Sequence, residues 1–286
     1  MPEMPEVQAL TEFLATQVIG RQIRSIRVAA IAALKTFDPP LHALEGQPVA
    51  DVHRHGKFIE LRCGEASLVF HLARAGWLRW YDQAPTGVVR PGKTPLALRL
   101  TLDSGAGFDL TEAGTKKSLA VYVVRSAQDV PGIARLGPDP TAAGFTLADF
   151  TAILQGRRTQ LKGVLRDQSV FAGIGNAYSD EILHVAKLSP YLLAAKLTDA
   201  QLAVLFQALR ETIAHATAVA SGRPPAELKD AKRAGMRVHG RTGQPCPECG
   251  DTVREVTFTD SAFQYCPTCQ TGGKPLADRV LSRLLK

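Results

Sequence analysis

Four of the five cysteines fall in two pairs, Cys246-Pro-Glu-Cys249 and Cys266-Pro-Thr-Cys269, with residues 250–265 between them. No other feature constrains the fold as much. The spacing is that of a four-thiolate zinc site. A segment as short as 236–270 has too little core to fold unaided, which favours a metal as its organiser. Four thiolates close the coordination sphere, so one zinc per chain is expected in a structural role, held by Cys246, Cys249, Cys266 and Cys269. Runs at Val253–Phe258 and Ala262–Tyr265 read as the strands of a small hairpin carrying these ligands. Cys63 stands apart in a strand-like run and reads as a buried, inert thiol.

Upstream, the texture of the chain changes twice. Val7, Leu10, Phe13, Leu14 and Val18 are spaced for one face of a helix over residues 4–18. From about residue 20 to 127 the apolar runs are short, as at Ile23–Val28, Phe58–Leu61, Leu96–Leu102 and Leu119–Val124, with turns such as Asp103-Ser104-Gly105 between them. That pattern predicts a β-sandwich. Residues 128–144, rich in Pro and Gly, read as a linker. Helical periodicity then returns, with N-terminal signals at Thr146/Asp149 and a capping box at Thr198/Gln201 that opens a helix to about Ala220. Between them, Phe171-Ala-Gly-Ile-Gly-Asn176 interrupts apolar sequence with glycine, as in a helix–turn–helix hairpin. The expected organisation is α+β: a sandwich domain with flanking helices over 1–127, a linker over 128–144 and a helical domain over 145–235. A zinc hairpin over 236–270 and a basic tail over 271–286 complete it.

Charge narrows the partners. The 286 residues carry 34 Lys and Arg against 27 Asp and Glu, a net charge of +7, which suits a polyanion. Ala200–Ala220, the longest apolar stretch, is broken by Arg210, Glu211 and His215, so no membrane span is expected. The first residues lack a basic region followed by an apolar one, which argues against secretion. Reduced thiols in a cytoplasmic setting agree with a metal site rather than disulfides.

The amino terminus reads Met1-Pro2-Glu3-Met4-Pro5-Glu6-Val7. Loss of Met1 before a small residue exposes the secondary amine of Pro2, with an α-amino pKa of about 7.7–8.0. Such an amine can attack an electrophilic carbon and form an iminium, and the adjacent Glu3 carboxyl can move protons. The same prolines also suit the first turn of a helix.

Four motifs taken in order resolve this ambiguity: Pro-Glu-Met-Pro-Glu-Val at the start, His-Gly-Lys57-Phe, Gly-Ile-Gly-Asn176-Ala-Tyr-Ser-Asp-Glu181, and Gly-Arg-Thr-Gly-Gln-Pro-Cys246. Through about Gln270 the chain resembles the formamidopyrimidine-DNA glycosylase / endonuclease VIII family. The resemblance implies removal of damaged bases from duplex DNA, then strand cleavage at the abasic site by β- and δ-elimination. It implies Pro2 as the nucleophile at C1′, Glu3 in ring opening and proton transfer, Glu6 in support of the site, and Lys57 at a phosphate. It also implies a helix–two-turn–helix element whose Asn176 and Gly173–Gly175 turn hold phosphate, with Lys162 beside them and Arg237 and Arg241 adding backbone contacts. The expected working form is a monomer in the cytoplasm, associated with the nucleoid.

The chain departs from the family pattern at three places. Arg74 replaces a methionine in His71-Leu-Ala-Arg74-Ala-Gly76, and an Arg-Phe pair is missing from Thr111-Glu-Ala-Gly-Thr-Lys-Lys117. That leaves Arg74 or Lys116 to fill the gap behind an everted base, and makes Arg74 a candidate DNA contact. Ser261 stands where the family carries a phosphate-gripping arginine. Residues 226–236 are shorter than the loop that caps 8-oxoguanine in the best-known branch. The resemblance therefore carries over the chemistry but not the 8-oxoguanine preference. A non-catalytic, zinc-containing binder of damaged or distorted DNA is the alternative that these departures motivate.

Overall fold

The computed structural model describes residues 1–87, 89, 94–258 and 261–277. The first helix, α1 (Met4–Val18), buries Val7, Leu10, Leu14 and Val18 along one face. Pro5 occupies its first turn, where a missing N–H leaves no hydrogen bond unmade. Eight strands follow: β1 (Ile23–Val28), β2 (Val49–His55), β3 (Phe58–Cys63), β4 (Ala66–His71), β5 (Gly76–Tyr81), β6 (Leu96–Leu102), β7 (Gly107–Glu112) and β8 (Ala120–Val124). They form two four-stranded antiparallel sheets, ordered β1-β6-β7-β5 and β2-β3-β4-β8.

Alternation of side chains explains why the sheets pack. Leu98, Leu100 and Leu102 of β6 are fully buried, as are Leu68 and Phe70 of β4. They meet α1 in one hydrophobic core. Phe70 of one sheet lies 6.0 Å from Phe108 of the other, centroid to centroid. This is the expected sandwich. The outer face of the second sheet is covered as well, because Val69 and Val124 pack against Ala127, Val130 and Ile133. The short helix α2 (Pro131–Ala134) belongs to this cover. Half of the segment expected as a linker is therefore apolar cover for a sheet.

Two compact units emerge, one of residues 1–136 with 220–229 and one of residues 137–219 with 230–286. The second unit begins with α3 (Leu147–Leu154). Thr146 and Asp149 close a capping box at its start: Asp149 N donates to Thr146 Oγ1 (3.2 Å), and Thr146 N to Asp149 Oδ2 (2.9 Å). Next come α4 (Leu161–Arg166), α5 (Asn176–Val185) and α6 (Asp199–Ala220), the last opened by the Thr198/Gln201 pair. Phe145, Phe150, Phe171 and Phe206 form the aromatic heart of this unit, with Phe150 and Phe171 stacked at 5.3 Å. After α7 (Leu228–Gly235), strands β9 (Arg254–Thr257) and β10 (Ala262–Tyr265) form the expected hairpin, and α8 (Pro267–Thr271) carries the last cysteine. Residues 278–286, most of the expected tail, lie outside the described residues. Among the described residues no helix is long and apolar enough to cross a membrane.

Candidate active site and metal centre

Chain termini are usually exposed and loosely held. Here Pro2 is buried, and Glu3 and Glu6, which follow it in the chain, are each only 2% exposed. Glu3 is the N-cap of α1, and its backbone N–H donates to Glu6 Oε2 at 2.8 Å. That bond belongs to a capping box at the start of α1.

Lys57 lies in the two-residue turn between β2 and β3 and is 8% exposed. Gly56 precedes it with φ +56°, the left-handed region that tight hairpin turns demand. Arg54, which sequence reasoning passed over, ties this turn to α1: Nε donates to Gln8 Oε1 (2.7 Å) and a terminal nitrogen to Gly56 O (3.1 Å). His71, at the end of β4, stands opposite Phe58 in the sheet, its ring 4.6 Å from the phenyl ring. Its Nδ1 accepts from Ala73 N–H at 3.1 Å. Burial, with the Lys57 charge added, pushes its pKa down to about 4, so the ring is neutral near pH 7. The signals for both residues were local, an Arg two before the Gly-Lys turn and a His opening the Arg74 segment.

Arg74 follows Ala73, a non-glycine residue at φ +52°, and is exposed on the β4–β5 connection. In the Thr111–Lys117 segment the buried Glu112 carboxylate accepts from Ser118 N (2.8 Å) and Leu119 N (3.0 Å), which shapes the loop and leaves Lys116 exposed. Residues 228–235, within the segment expected as a short loop, are helical as α7.

The second unit holds the remaining candidates. Gly173, at φ +91°, makes the turn between α4 and α5, and the Gln168 side chain braces it by accepting from Gly173 N and donating to Ile174 O. Asn176 starts α5; its Nδ2 donates to Ala262 O at 2.7 Å, while Oδ1 is buried without a hydrogen-bond partner. Lys162 differs from expectation. It is 5% exposed, and its ammonium donates to Asn176 O (2.6 Å), Ser179 Oγ (2.8 Å) and Asp180 Oδ1 (2.5 Å). A cation so enclosed braces the turn from within rather than reaching out to a phosphate. Asp180 also binds His239 Nδ1 (2.7 Å). Its neighbour Glu181 accepts from the backbone N–H groups of Arg237, Val238 and His239 at 2.7, 3.0 and 2.8 Å. Burial raises the Glu181 pKa against the pull of those three donors. Arg241 donates to Gln244 Oε1 and Met236 O and stays partly exposed. Ser261 caps the hairpin turn through its carbonyl, which accepts from Phe258 N (2.7 Å).

The four predicted cysteines converge, their sulfurs all within 4.8 Å of one another. Cys249 and Cys266 are 3.4 Å apart, Cys246 and Cys269 3.9 Å. Burial pushes the Cys266 thiol up to about 11 and that of Cys269 higher still, while a hydrogen bond from the Asp251 backbone lowers that of Cys249; the four sulfurs are placed so that together they could hold a metal ion. Cys63 is 1% exposed, and burial pushes its thiol up to about 12.

Residues 1–118 match the model of the formamidopyrimidine-DNA glycosylase N-terminal domain, and residues 136–224 that of the formamidopyrimidine-DNA glycosylase H2TH domain. The formamidopyrimidine-DNA glycosylase of Symbiobacterium thermophilum is 32% identical over 279 residues, covering 94% of this chain and 89% of that protein. The chain belongs to the formamidopyrimidine-DNA glycosylase family. An uncharacterized formamidopyrimidine-DNA glycosylase-like protein of Mycobacterium tuberculosis is 58% identical over 151 residues, 53% of this chain and 94% of that one. The crystal structure of the Fpg protein from Thermus thermophilus superposes with a TM-score of 0.80 at 30% identity, covering 96% of this chain and all of the other. Lactococcus lactis Fpg in complex with abasic-site DNA shares the fold, with a TM-score of 0.82 at 23% identity over 94% of this chain and 99% of that one.

Proposed function

We propose that this member of the formamidopyrimidine-DNA glycosylase family excises damaged bases from duplex DNA and cleaves the resulting abasic site. Pro2 serves as the nucleophile. The observation that carries this reading is the buried amino terminus, with two buried carboxylates packed at the start of α1. A terminus held in this way is organised for chemistry, since a helix start alone needs neither burial nor two acids.

The steps follow from these groups. With Met1 removed, the Pro2 nitrogen attacks C1′ of the damaged nucleotide. Glu3 supplies a proton as the sugar ring opens, the C1′–base bond breaks, and the base leaves with a proton. The resulting iminium acidifies C2′; loss of that proton expels the 3′-phosphate, and a second elimination expels the 5′-phosphate. Glu6 holds the Glu3 backbone, Lys57 neutralises phosphate, and the neutral His71 beside it is a further hydrogen-bonding group. Asn176 and Arg241 grip the DNA backbone, while Arg74 on its exposed turn fills the space left by the everted base. Cys246, Cys249, Cys266 and Cys269 would hold a zinc ion, which as a four-thiolate site would fix the hairpin rather than take part in the reaction. The protein works as a cytoplasmic monomer. Arg74, Ser261 and the helical α7 point to a lesion range displaced from 8-oxoguanine toward oxidised pyrimidines, ring-opened purines or bulky alkylated purines.

Borohydride trapping on abasic-site duplex tests the chemistry. Untagged protein lacking Met1 gives a covalent adduct, whereas Pro2→Gly and an N-terminally tagged form give none. Absence of an adduct from the untagged protein, with duplex binding intact, leaves the non-catalytic binder as the correct reading.

A further inference from the structure

The cysteine cluster has a fifth polar neighbour. His184 lies in the last turn of α5, among Ile182, Leu183 and Val185, and is 1% exposed. Its Nε2 is 3.2 Å from Cys246 Sγ, as close as the sulfurs are to one another. Its other ring nitrogen, Nδ1, is buried without a hydrogen-bond partner. A histidine beside a metal is ordinarily fixed in one tautomer by a bond at its second nitrogen. No such bond holds His184. With the proton on Nε2 the ring donates to the Cys246 thiolate; with the proton on Nδ1 the Nε2 lone pair faces the same corner of the site.

We propose that His184 is part of the metal centre: it donates to the Cys246 thiolate while four sulfurs hold the metal, and supplies the replacing nitrogen ligand when that sulfur is lost. This rests on the reading of the cluster as a zinc site. In the exchange the Cys246 thiolate leaves as a thiol, taking a proton from water, and a neutral imidazole enters, so the ligand charge falls from four negative to three and the metal stays divalent. The proton on the ring moves to Nδ1. Imidazole and thiolate are both ordinary zinc ligands, and three cysteines with one histidine form a common structural set.

The full-length protein is loaded with zinc or cobalt(II) as wild type, His184→Phe, Cys246→Ala, Cys249→Ala and Cys246→Ala/His184→Phe. Elemental analysis of the wild type gives one zinc per chain; a metal-free wild type would overturn the zinc reading itself, a failure separate from that of the proposal. His184→Phe yields its zinc to a chromophoric chelator about 10- to 100-fold more readily than wild type. Cys246→Ala binds cobalt with weaker thiolate charge-transfer absorption and d–d bands at shorter wavelength, as one nitrogen among three sulfurs requires. It also holds cobalt more tightly than Cys249→Ala, which removes the exposed corner instead. The double variant, with three sulfurs and no nitrogen donor, loses the tighter binding and gives d–d bands that differ from those of Cys246→Ala. Identical cobalt spectra and affinities for Cys246→Ala and the double variant would overturn the proposal. If Cys246→Ala does not fold, zinc retention decides alone, and equal retention in His184→Phe and wild type overturns it.

Discussion

On the proposed mechanism, Pro2, Glu3 and Glu6 make a reactive group from a helix start. The acids that cap α1 directly follow Pro2 in the chain, so on that mechanism one set of bonds would serve folding and chemistry. Glu3→Gln keeps the shape and removes the transferable proton; base excision is expected to fall by about 10²–10⁴-fold in single-turnover assays. The same residues were legible in the sequence because they lie next to each other in it. Lys162 was not. Its position beside the glycine turn suggested a phosphate contact, but the partners that take its charge, Ser179 and Asp180, come from the following helix. Lys162→Met should cost about 3–5 kcal/mol in denaturant unfolding, because Asp180 is left buried without its cation. The salt dependence of DNA binding in the folded variant should not change. His71 titrates with the opposite consequence of an ion pair. Its folded pKa of about 4 lies below the ordinary value of 6.5, so the unfolded chain binds the proton more readily. Stability therefore falls as pH drops from about 6.5 toward 4 and levels off below. In His71→Gln that acid-side loss of Tm should shrink.

Elements were easier to read than their contacts. Period and caps marked α1, α3, α6 and the hairpin strands, since each signal sits within a few residues of what it controls. The helical form of 228–235 was hidden by a sequence read as a loop. The cover supplied by 127–133 was hidden because Val130 and Ile133 acquire their partners, Val69 and Val124, only when the sheet has formed. One turn and one helix show what such contacts sustain. An alanine at Gly56 is forced to φ +56° and should destabilise the protein by about 1–2 kcal/mol, visible as a lower denaturation midpoint. Glu181→Ala removes the acceptor for three backbone N–H groups of residues 237–239. Each orphaned donor costs about 1–3 kcal/mol, so a loss of at least about 3 kcal/mol is expected, with faster amide exchange confined to that segment.

At the scale of the whole chain, the basic balance and the cysteine spacing were both legible, and the four spaced cysteines do converge in the second unit. If DNA is gripped through phosphate, log affinity should fall linearly with log salt, and Arg241→Ala should flatten the slope by about 0.9. The division into units was not legible as a linear list. Ala220 and Leu228 complete the hydrophobic core of the sandwich, Pro225 O accepts from Trp77 Nε1 (3.1 Å), and the Lys229 ammonium rests 4.5 Å from the centroid of the Trp77 ring. A fragment ending at residue 136 should therefore bind hydrophobic dyes and melt without cooperativity, and adding residues 220–229 as a separate peptide should restore the transition.

That returning segment also sets an order of events during synthesis. The sandwich is encoded first, yet its last core residues leave the ribosome only after the whole of 137–219 has been made. The first unit must wait, partly open, while its inserted neighbour is translated, which makes the interval between residues 136 and 229 the period when this chain most needs a chaperone.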